Sequence, residues 1–104
     1  MSVVLNIGGT EFRTRDETVS SIIDIFTSKR REEPTGPVLV YFIGRDPTVF
    51  GYILNFLRDG SVIVPRNGFT LALIKHEAKA YGITNLVKKL DAHDYHEYSD
   101  YYHI

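Results

Sequence analysis

Cysteine is absent from this sequence of 104 residues, and neither sign of charge predominates. Without cysteine the chain can form no disulfide framework and no zinc site built on thiolates. The absence is compatible with the cytoplasm, where we expect the protein to lie. The 12 basic and 13 acidic residues give a net charge of −1, so the composition offers no case for a nucleic-acid partner or an anionic membrane surface.

Long hydrophobic runs are also missing. No apolar stretch approaches the roughly 20 residues that a membrane-spanning helix needs, and Met1–Val3 does not begin a signal peptide. We therefore expect no membrane insertion by this segment. The chain is 43% hydrophobic and 24% charged, which is ordinary for a soluble globular protein, and its length suffices for one domain with a sizeable core.

The first residues predict a β-hairpin. Apolar residues alternate along positions 3–7, which is the period of a strand. Gly8-Gly9 supplies the positive φ angles of a two-residue turn, and residues 10–13 return as the partner strand. A Gly-Gly pair can also approach a phosphate. This one lacks the Gly-Lys-Ser/Thr of a phosphate loop and the third glycine of a dinucleotide site, so the hairpin is favoured.

A helix is predicted after the hairpin, since Thr14 and Glu17 match a capping box. Apolar residues then recur at the spacing of one helix face: Val19, Ile22, Ile23 and Phe26. Lys29–Arg31 could serve a partner, but acids follow at once, so a solvated helix end is favoured. Residues 32–37, twice interrupted by proline, predict a loop, and the apolar run 38–43 is typical of a central strand.

The sequence is organised around residues 41–60, which predict a strand, a tight turn and a strongly apolar helix. Asp46 suits the helix N-cap, Pro47 the first helical position and Gly60 the left-handed residue that ends the helix. One apolar face is predicted to lie in the core: Phe50, Ile53, Leu54 and Leu57. A second stripe is either core or a surface covered by a partner: Val49, Tyr52 and Phe56.

The remaining sequence predicts a short strand at residues 61–64, a turn, two helices and a tail. Thr70 suits the cap of the first of these helices, Gly82 its end, and Thr84 the cap of the second. Residues 91–104 hold few aliphatic side chains and many acids, histidines and tyrosines. We expect them to form a mobile tail, or a segment ordered only by a partner, beyond a domain of residues 1–90.

The chain shows little sign of chemical machinery. His93, Asp94 and His96 are close enough in sequence to suggest a metal site, but a flexible tail preorganises no ligands, so solvated side chains are favoured. His76 is interpreted as a surface or interface residue, and no serine lies in a nucleophile elbow. We expect no catalytic residue, no cofactor, no metal and no enzymatic activity.

Four motifs follow one another in the order of a known family. They are Leu5–Thr10, Phe42–Pro47, Phe50–Gly60 and His76–Ile83. Together they resemble the BTB/POZ domain of the potassium-channel tetramerisation type, and the resemblance covers residues 3–90. Agreement of several motifs in order and spacing makes it specific. The sequences of Leu54–Gly60 and Glu77–Ile83 are more similar to those of the soluble potassium-channel-tetramerisation-domain (KCTD) proteins than to those of the channels.

The resemblance implies an α/β (α+β) fold, in which a small mixed sheet with an N-terminal hairpin is covered by about four helices. It also implies rings of four or five copies, joined through polar side-by-side faces. The positions that match the family's ring contact are Asn6, Gly8, Gly9, Thr10, Arg45 and Asp46. Local capping is the alternative role for Arg45 and Asp46. Gly44 stands where the family usually has an acid, and the cysteines with which some channel branches bind zinc are absent.

The function implied is homo-oligomerisation, as a homo-tetramer or homo-pentamer. Soluble family members commonly recruit cullin 3 ubiquitin ligase scaffolds through their second helix and nearby loops. A cullin 3 adaptor is therefore one expected role, with the stripe of Val49, Tyr52 and Phe56 as a possible partner surface. The cytoplasmic assembly domain of a voltage-gated potassium channel is the alternative. A small ligand-binding domain or enzyme is the alternative from another class, and the sequence favours it least.

Overall fold

The computed structural model describes residues 2–25 and 39–104, and the chain forms two compact units, Met1–Thr48 and Val49–Ile104. The first unit contains β1 (Ser2–Ile7), β2 (Thr10–Arg15), α1 (Asp16–Ile25) and β3 (Leu39–Ile43). The second contains α2 (Phe50–Asp59), β4 (Ile63–Pro65), α3 (Gly68–Ala80), α4 (Thr84–Ala92) and β5 (Tyr101–His103). Among the described residues there are thus a small mixed sheet with an N-terminal hairpin and four helices. The predicted α+β fold is confirmed.

The sheet of the first unit has the order β2-β1-β3. β1 runs antiparallel to β2 and parallel to β3, so Leu5 has Phe12 on one side and Tyr41 on the other. The central strand is therefore β1, and the prediction of a central strand at residues 38–43 is wrong for the described sheet. β3 lies at its edge, and Phe42 is 36% exposed there. An apolar run does not show which neighbours a strand pairs with, and in β3 only Tyr41 and Ile43 are buried.

The predicted hairpin is confirmed, but its second strand is longer than expected. β2 continues to Arg15, and Thr14 is buried opposite Val3. The predicted capping box at Thr14 is therefore wrong. The helix begins instead at Asp16, whose Oδ1 accepts the backbone N–H of Glu17 at 2.9 Å. Strand pairing satisfies the backbone of Thr14, so its side chain is not needed at a helix end.

Helix α1 buries part of the predicted apolar face. Val19 and Ile22 are fully buried and Ile23 is half-buried. Val19 has φ −115° and ψ 16°, which interrupts the helical geometry. Phe26, the basic end at Lys29–Arg31, the loop at 32–37 and the first residue of the predicted strand, Val38, lie outside the described residues.

Helix α2 ends as predicted but begins later. Gly60 has φ +73°, and its N–H donates to the carbonyl of Phe56 at 2.8 Å, which closes the helix. The expectation that Asp46 is the N-cap and Pro47 the first helical residue is wrong. The helix starts at Phe50, because Val49, with φ −111° and ψ 8°, is not helical. Of the predicted core face, three residues are buried and Leu57 is half-buried; the buried ones are Phe50, Ile53 and Leu54.

Helices α3 and α4 also begin differently from the prediction. The cap of α3 is Asn67, which is extended at φ −147° and accepts the N–H of Thr70 through Oδ1 at 2.9 Å. Thr70 is thus capped and does not itself cap. Thr84 is already helical, and Ile83 occupies the cap of α4 without a side-chain hydrogen bond. Gly82, at φ +71°, ends α3 as predicted. Within the described ranges, no helix has both the length and the apolar character to cross a membrane.

The C-terminal residues are part of the second unit. β5 pairs antiparallel with β4, and Ile104 exchanges two backbone hydrogen bonds with Val62, at 2.8 and 3.0 Å. Tyr102 and Ile104 are 6% and 7% exposed, whereas Tyr101 and His103 point outward between them. We expected residues 91–104 to form a mobile tail or a segment ordered only by a partner; in the structure residues 101–104 instead pair with residues 62–65 and bury Tyr102 and Ile104. A count of aliphatic residues leaves out tyrosine, although its ring buries as much apolar area as a large aliphatic side chain.

Candidate functional site

The turn between β1 and β2 lies against the turn that follows β3. The carbonyl oxygen of Ile43 accepts two backbone hydrogen bonds, from Gly8 and from Arg45, each at 2.9 Å. Gly8 and Gly9 have φ angles of +55° and +101°, as the tight hairpin requires. One carbonyl at the end of β3 therefore fixes both turns, which carry the residues predicted for the ring contact.

The contact between the two turns depends on the missing side chain of Gly8. A Cβ atom at this position would overlap the backbone carbonyl oxygen of Arg45 and would lie 3.3 Å from Cδ of Pro47. A flexible side chain could change its rotamer to relieve such a clash, but the backbone carbonyl of Arg45 cannot. Only glycine therefore allows the hairpin turn and the 44–47 turn to approach this closely.

Asn6 has a structural role in the hairpin. Its Oδ1 accepts the backbone N–H of Gly9 at 2.8 Å, and the residue is half-buried. Gly9 and Thr10 beyond it are exposed. The Asn6 side chain thus holds the turn in the shape that presents Gly9 and Thr10 to solvent.

Arg45 and Asp46 place opposite charges next to each other. Asp46 is exposed, and its Oδ1 accepts both the backbone N–H of Thr48 at 2.9 Å and the Thr48 hydroxyl at 2.5 Å. Hydrogen bonds from the Thr48 hydroxyl, which has the larger effect, and from the Thr48 backbone N–H hold the pKa of Asp46 below its ordinary value. The carboxylate therefore stays charged near neutral pH. Arg45 is half-buried. Asp46 therefore caps a local turn and still presents a negative charge to solvent.

Sequence reasoning missed Thr48, which holds that carboxylate. The signal was present, because Asp-Pro-Thr offers an acceptor two residues before a donor N–H, as in an Asx-turn. The competing assignment of Asp46 to a helix cap uses the same side-chain oxygen. Because α2 begins only at Phe50, Asp46 is too early to be its N-cap, and the turn is the correct interpretation.

The first unit thus gathers all the residues predicted for the ring contact on one polar surface. We name it the turn surface; it consists of Asn6, Gly8, Gly9, Thr10, Arg45 and Asp46. It carries one cation and one anion, and none of its members has a large apolar side chain. Such a surface suits hydrogen bonds and ion pairs with another protein more than the enclosure of a small ligand.

The possible partner stripe on α2 lies differently. Val49 and Phe56 are 3% and 7% exposed, so little of their side chains remains for a partner. Tyr52 is half-buried. Of the three, Tyr52 is the residue with side-chain surface left to contribute to a contact.

The histidines predicted to be solvated or at an interface lie apart from the turn surface in sequence. Nδ1 of His96 is 2.8 Å from Oδ1 of Asp94, while the ring of His93 packs edge-on against Tyr95 and Tyr102. His76 is exposed on α3. Within residues 2–25 and 39–104, no group of three or more acidic, histidine or cysteine side chains has an arrangement that could hold a metal ion.

Comparison with known proteins agrees with these motifs. A model of the BTB/POZ domain matches residues 3–90. The chain is 40% identical over 95 residues to the Homo sapiens BTB/POZ domain-containing protein KCTD3, across 85% of this chain and 11% of that protein. It is 35% identical over 95 residues to the Rattus norvegicus BTB/POZ domain-containing protein KCTD5, across 83% of this chain and 39% of that protein.

A third relative carries a different name. The chain is 40% identical over 97 residues to the Rattus norvegicus SH3KBP1-binding protein 1, across 86% of this chain and 13% of that protein. The chain therefore spans well under half the length of each of these relatives. The family match over most of the chain and the level of identity to the relatives lead to one conclusion: the chain belongs to the BTB/POZ domain family of the potassium-channel tetramerisation type, together with the KCTD proteins.

Proposed function

We propose that copies of this chain assemble into a closed ring, and that the turn surface is one side of the contact between neighbours. As a BTB/POZ domain, the chain is a protein-interaction and oligomerisation module. The proposal is carried by one observation, the tight packing of the hairpin turn on the 44–47 turn, which presents Arg45 and Asp46 together.

A closed ring is the assembly that the family implies, and the polar character of this surface is compatible with it. In a closed ring each copy meets its neighbour with two different faces, so the turn surface of one copy contacts another polar face of the next. The charges of Arg45 and Asp46 then pair with charges on that face and select the angle at which the copies meet. The ring contains four or five copies.

Gly44 tunes the strength of this contact. It is exposed, and nothing lies within 4 Å of the position of a Cβ atom. Relatives with an acid there have a further charge to place against a neighbour. We propose that the ring of this chain has fewer ion pairs and is correspondingly weaker.

The assembly is tested by the charge reversal Arg45→Glu. Placing a negative charge beside Asp46 removes an attraction and adds a repulsion, so we expect the affinity between copies to fall by at least about tenfold, equivalent to about 1.4 kcal/mol. Sedimentation velocity should show a shift from oligomer towards monomer, with an unchanged circular dichroism spectrum.

Lys88→Glu is the matched control, since it reverses an exposed charge on α4, in the other unit. It should leave the oligomer intact. An unchanged oligomer in Arg45→Glu would remove Arg45 from the interface. A monomeric wild-type chain at high micromolar concentration, in low and in high salt, would contradict the ring altogether.

Beyond self-assembly, we propose that the assembled module acts as an adaptor for a cullin 3 ubiquitin ligase in the cytoplasm, with no catalysis of its own. Its support is the relationship to KCTD proteins and the part-exposed Tyr52 on α2.

The amino-terminal domain of cullin 3 should retain the chain in a pull-down, and Tyr52→Ala should reduce the retained fraction more than Asn55→Ala on the same helix. No retention of the wild-type chain would leave the assembly role alone, and a membrane segment following residue 104 in the parent gene would favour a channel assembly domain.

A further inference from the structure

The two-stranded ribbon of β4 and β5 has an open edge on the side of β5. Within the described ranges, β4 is the only strand that pairs with β5. Val62 and Ile104 exchange both of their backbone hydrogen bonds, so the next pair, Ile63 and His103, is a non-hydrogen-bonded pair of the antiparallel ladder. The N–H and C=O of His103 therefore point away from β4, as do the backbone groups of Tyr101 two residues earlier.

The two edges of the ribbon differ in what they offer to a further strand. Pro65, on β4, has no N–H to present at its own edge, and proline at an edge opposes further pairing. On β5, the Tyr101 N–H donates to Oγ of Ser99 at 3.4 Å. The His103 N–H and the carbonyls of Tyr101 and His103 remain, and these are the groups through which an extended peptide adds to a sheet.

One face of the ribbon is exposed and partly apolar. Residues opposite each other in an antiparallel pair lie on the same face, and so do residues two positions apart. The outward face therefore carries Ile63, Tyr101 and His103, and Ile63 and Tyr101 are 55% and 56% exposed. Val64 and Tyr102 are buried on the other face. Side chains of a strand added beside β5 would cover part of the outward face.

A polar cavity adjoins the outward face at the C-terminal end of α2. It has a volume of about 310 Å³ and is lined by Asn55, Asp59, Ser61, Val62, Ile63 and His103. These residues include an acid but neither lysine nor arginine, and Lys89 donates instead to the Gly60 carbonyl at 2.8 Å. The Asp59 carboxylate and the partial negative charge at the end of α2 both favour a cation in this cavity.

The charge of the segment that contains β5 favours the same kind of partner. Residues 91–104 include four acids and neither lysine nor arginine, and Asp100 directly precedes β5. Two copies of β5 side by side would bring these acids together, which disfavours pairing of this edge with itself. A strand that carries basic side chains has the complementary charge.

We propose that the outer edge of β5 binds an extended, basic segment of a partner protein, which pairs with His103 through its backbone and places an arginine side chain in the cavity beside Asp59. The residue of the added strand opposite His103 has its side chain on the outward face, which the cavity adjoins. The guanidinium group can then form charge-assisted hydrogen bonds with the Asp59 carboxylate. With few hydrogen bonds and one exposed ion pair, a single short peptide binds weakly, with a dissociation constant of about 1 mM.

Titration of the isotopically labelled chain with the peptide acetyl-Val-Arg-Val-Arg-Val-amide tests the contact by nuclear magnetic resonance. The backbone amide signals of residues 59–61 and 101–103 should shift and saturate. A peptide with citrulline in place of arginine keeps the shape without the charge and should bind at least about fivefold more weakly. N-methylation of the arginine amides, which face β5 in the proposed pairing, should abolish binding, whereas N-methylation of the valine amides, on the far edge, should not.

Substitutions in the chain separate the backbone contact from the charge. His103→Pro removes the outward N–H and no hydrogen bond to β4, so it should abolish binding in a folded chain, whereas His103→Ala keeps the N–H and should bind within about threefold of wild type. Asp59→Asn should weaken binding at least about fivefold. Glu11→Gln, at an exposed acid on β2, is its control and should have no effect.

The inference would be overturned by equal binding of the arginine and citrulline peptides, by equal binding to His103→Pro and His103→Ala, or by unshifted signals at residues 101–103. Signals at 101–103 that move with the concentration of the chain alone would place a second copy at this edge and would also overturn it. The contact depends on neither the ring nor the cullin adaptor. Arg45→Glu should therefore bind the peptide like wild type, and Asp59→Asn should leave the native mass and the cullin 3 pull-down unchanged.

Discussion

Gly8→Val should lower the free energy of unfolding by more than about 3 kcal/mol. The new Cβ would overlap the carbonyl oxygen of Arg45, and φ of +55° is strained for any β-branched residue. The backbone has little freedom to relax, because the N–H groups of Gly8 and Arg45 both donate to the Ile43 carbonyl. Urea denaturation followed by circular dichroism measures the loss.

Gly44→Ala is the control for this substitution. Gly44 is in the neighbouring turn, but a Cβ there meets nothing within 4 Å. We expect a change within about 0.5 kcal/mol. Gly8→Val should also abolish assembly, since the turn surface depends on the close approach at Gly8, whereas Arg45→Glu should weaken assembly while the chain stays folded. If Gly8→Val were as stable as Gly44→Ala, the two turns would not be packed as the structure shows.

Tyr102→Ala should destabilise the second unit by about 3 kcal/mol, the usual cost of deleting a buried aromatic ring. Tyr102 is 6% exposed, and its ring packs edge-on against His93 and Tyr95 at 5.1 and 5.0 Å between centroids. Its hydroxyl also accepts the Nε–H of Arg66 at 3.2 Å. The loss should appear as a lower urea midpoint and a lower melting temperature.

Tyr98→Ala is the matched comparison, because Tyr98 lies four residues earlier and is 77% exposed. Its ring meets only the Arg66 guanidinium among the contacts described, at 4.3 Å from the centroid. Removing it should cost less than about 1 kcal/mol. Equal effects of the two substitutions would show that residues 91–104 behave as the tail that composition predicts, without the strand β5.

The sequence was informative where a local pattern has one physical solution. Gly8-Gly9 between two alternating runs forms the hairpin, and Gly60 and Gly82 end helices, because each needs a positive φ that other residues avoid. The apolar spacing of α2 also identified its buried face. These features depend on neighbours in the chain, so the sequence alone specifies them.

The sequence misled where distant residues decide the outcome. Thr14 resembles a cap, but pairing with β1 keeps it in a strand. Residues 101–103 have the composition of a tail, but they pair with β4 as strand β5, and Tyr102 is buried in the second unit.

The candidate site shows the same division. The motifs identified the residues of the turn surface, but not the hydrogen bonds to the Ile43 carbonyl that bring the two turns together. Hydrogen bonds between segments far apart in sequence arise from the fold. The bond from Gly8 to Ile43 can be predicted only once the pairing and register of β1 and β3 are known.

The native mass of the wild-type chain, measured beside that of Arg45→Glu, is the direct test of self-assembly through the turn surface. We expect a wild-type mass of four or five chains and a loss of ring-sized species in the variant. A wild-type monomer, or a ring of unchanged mass in Arg45→Glu, would contradict it.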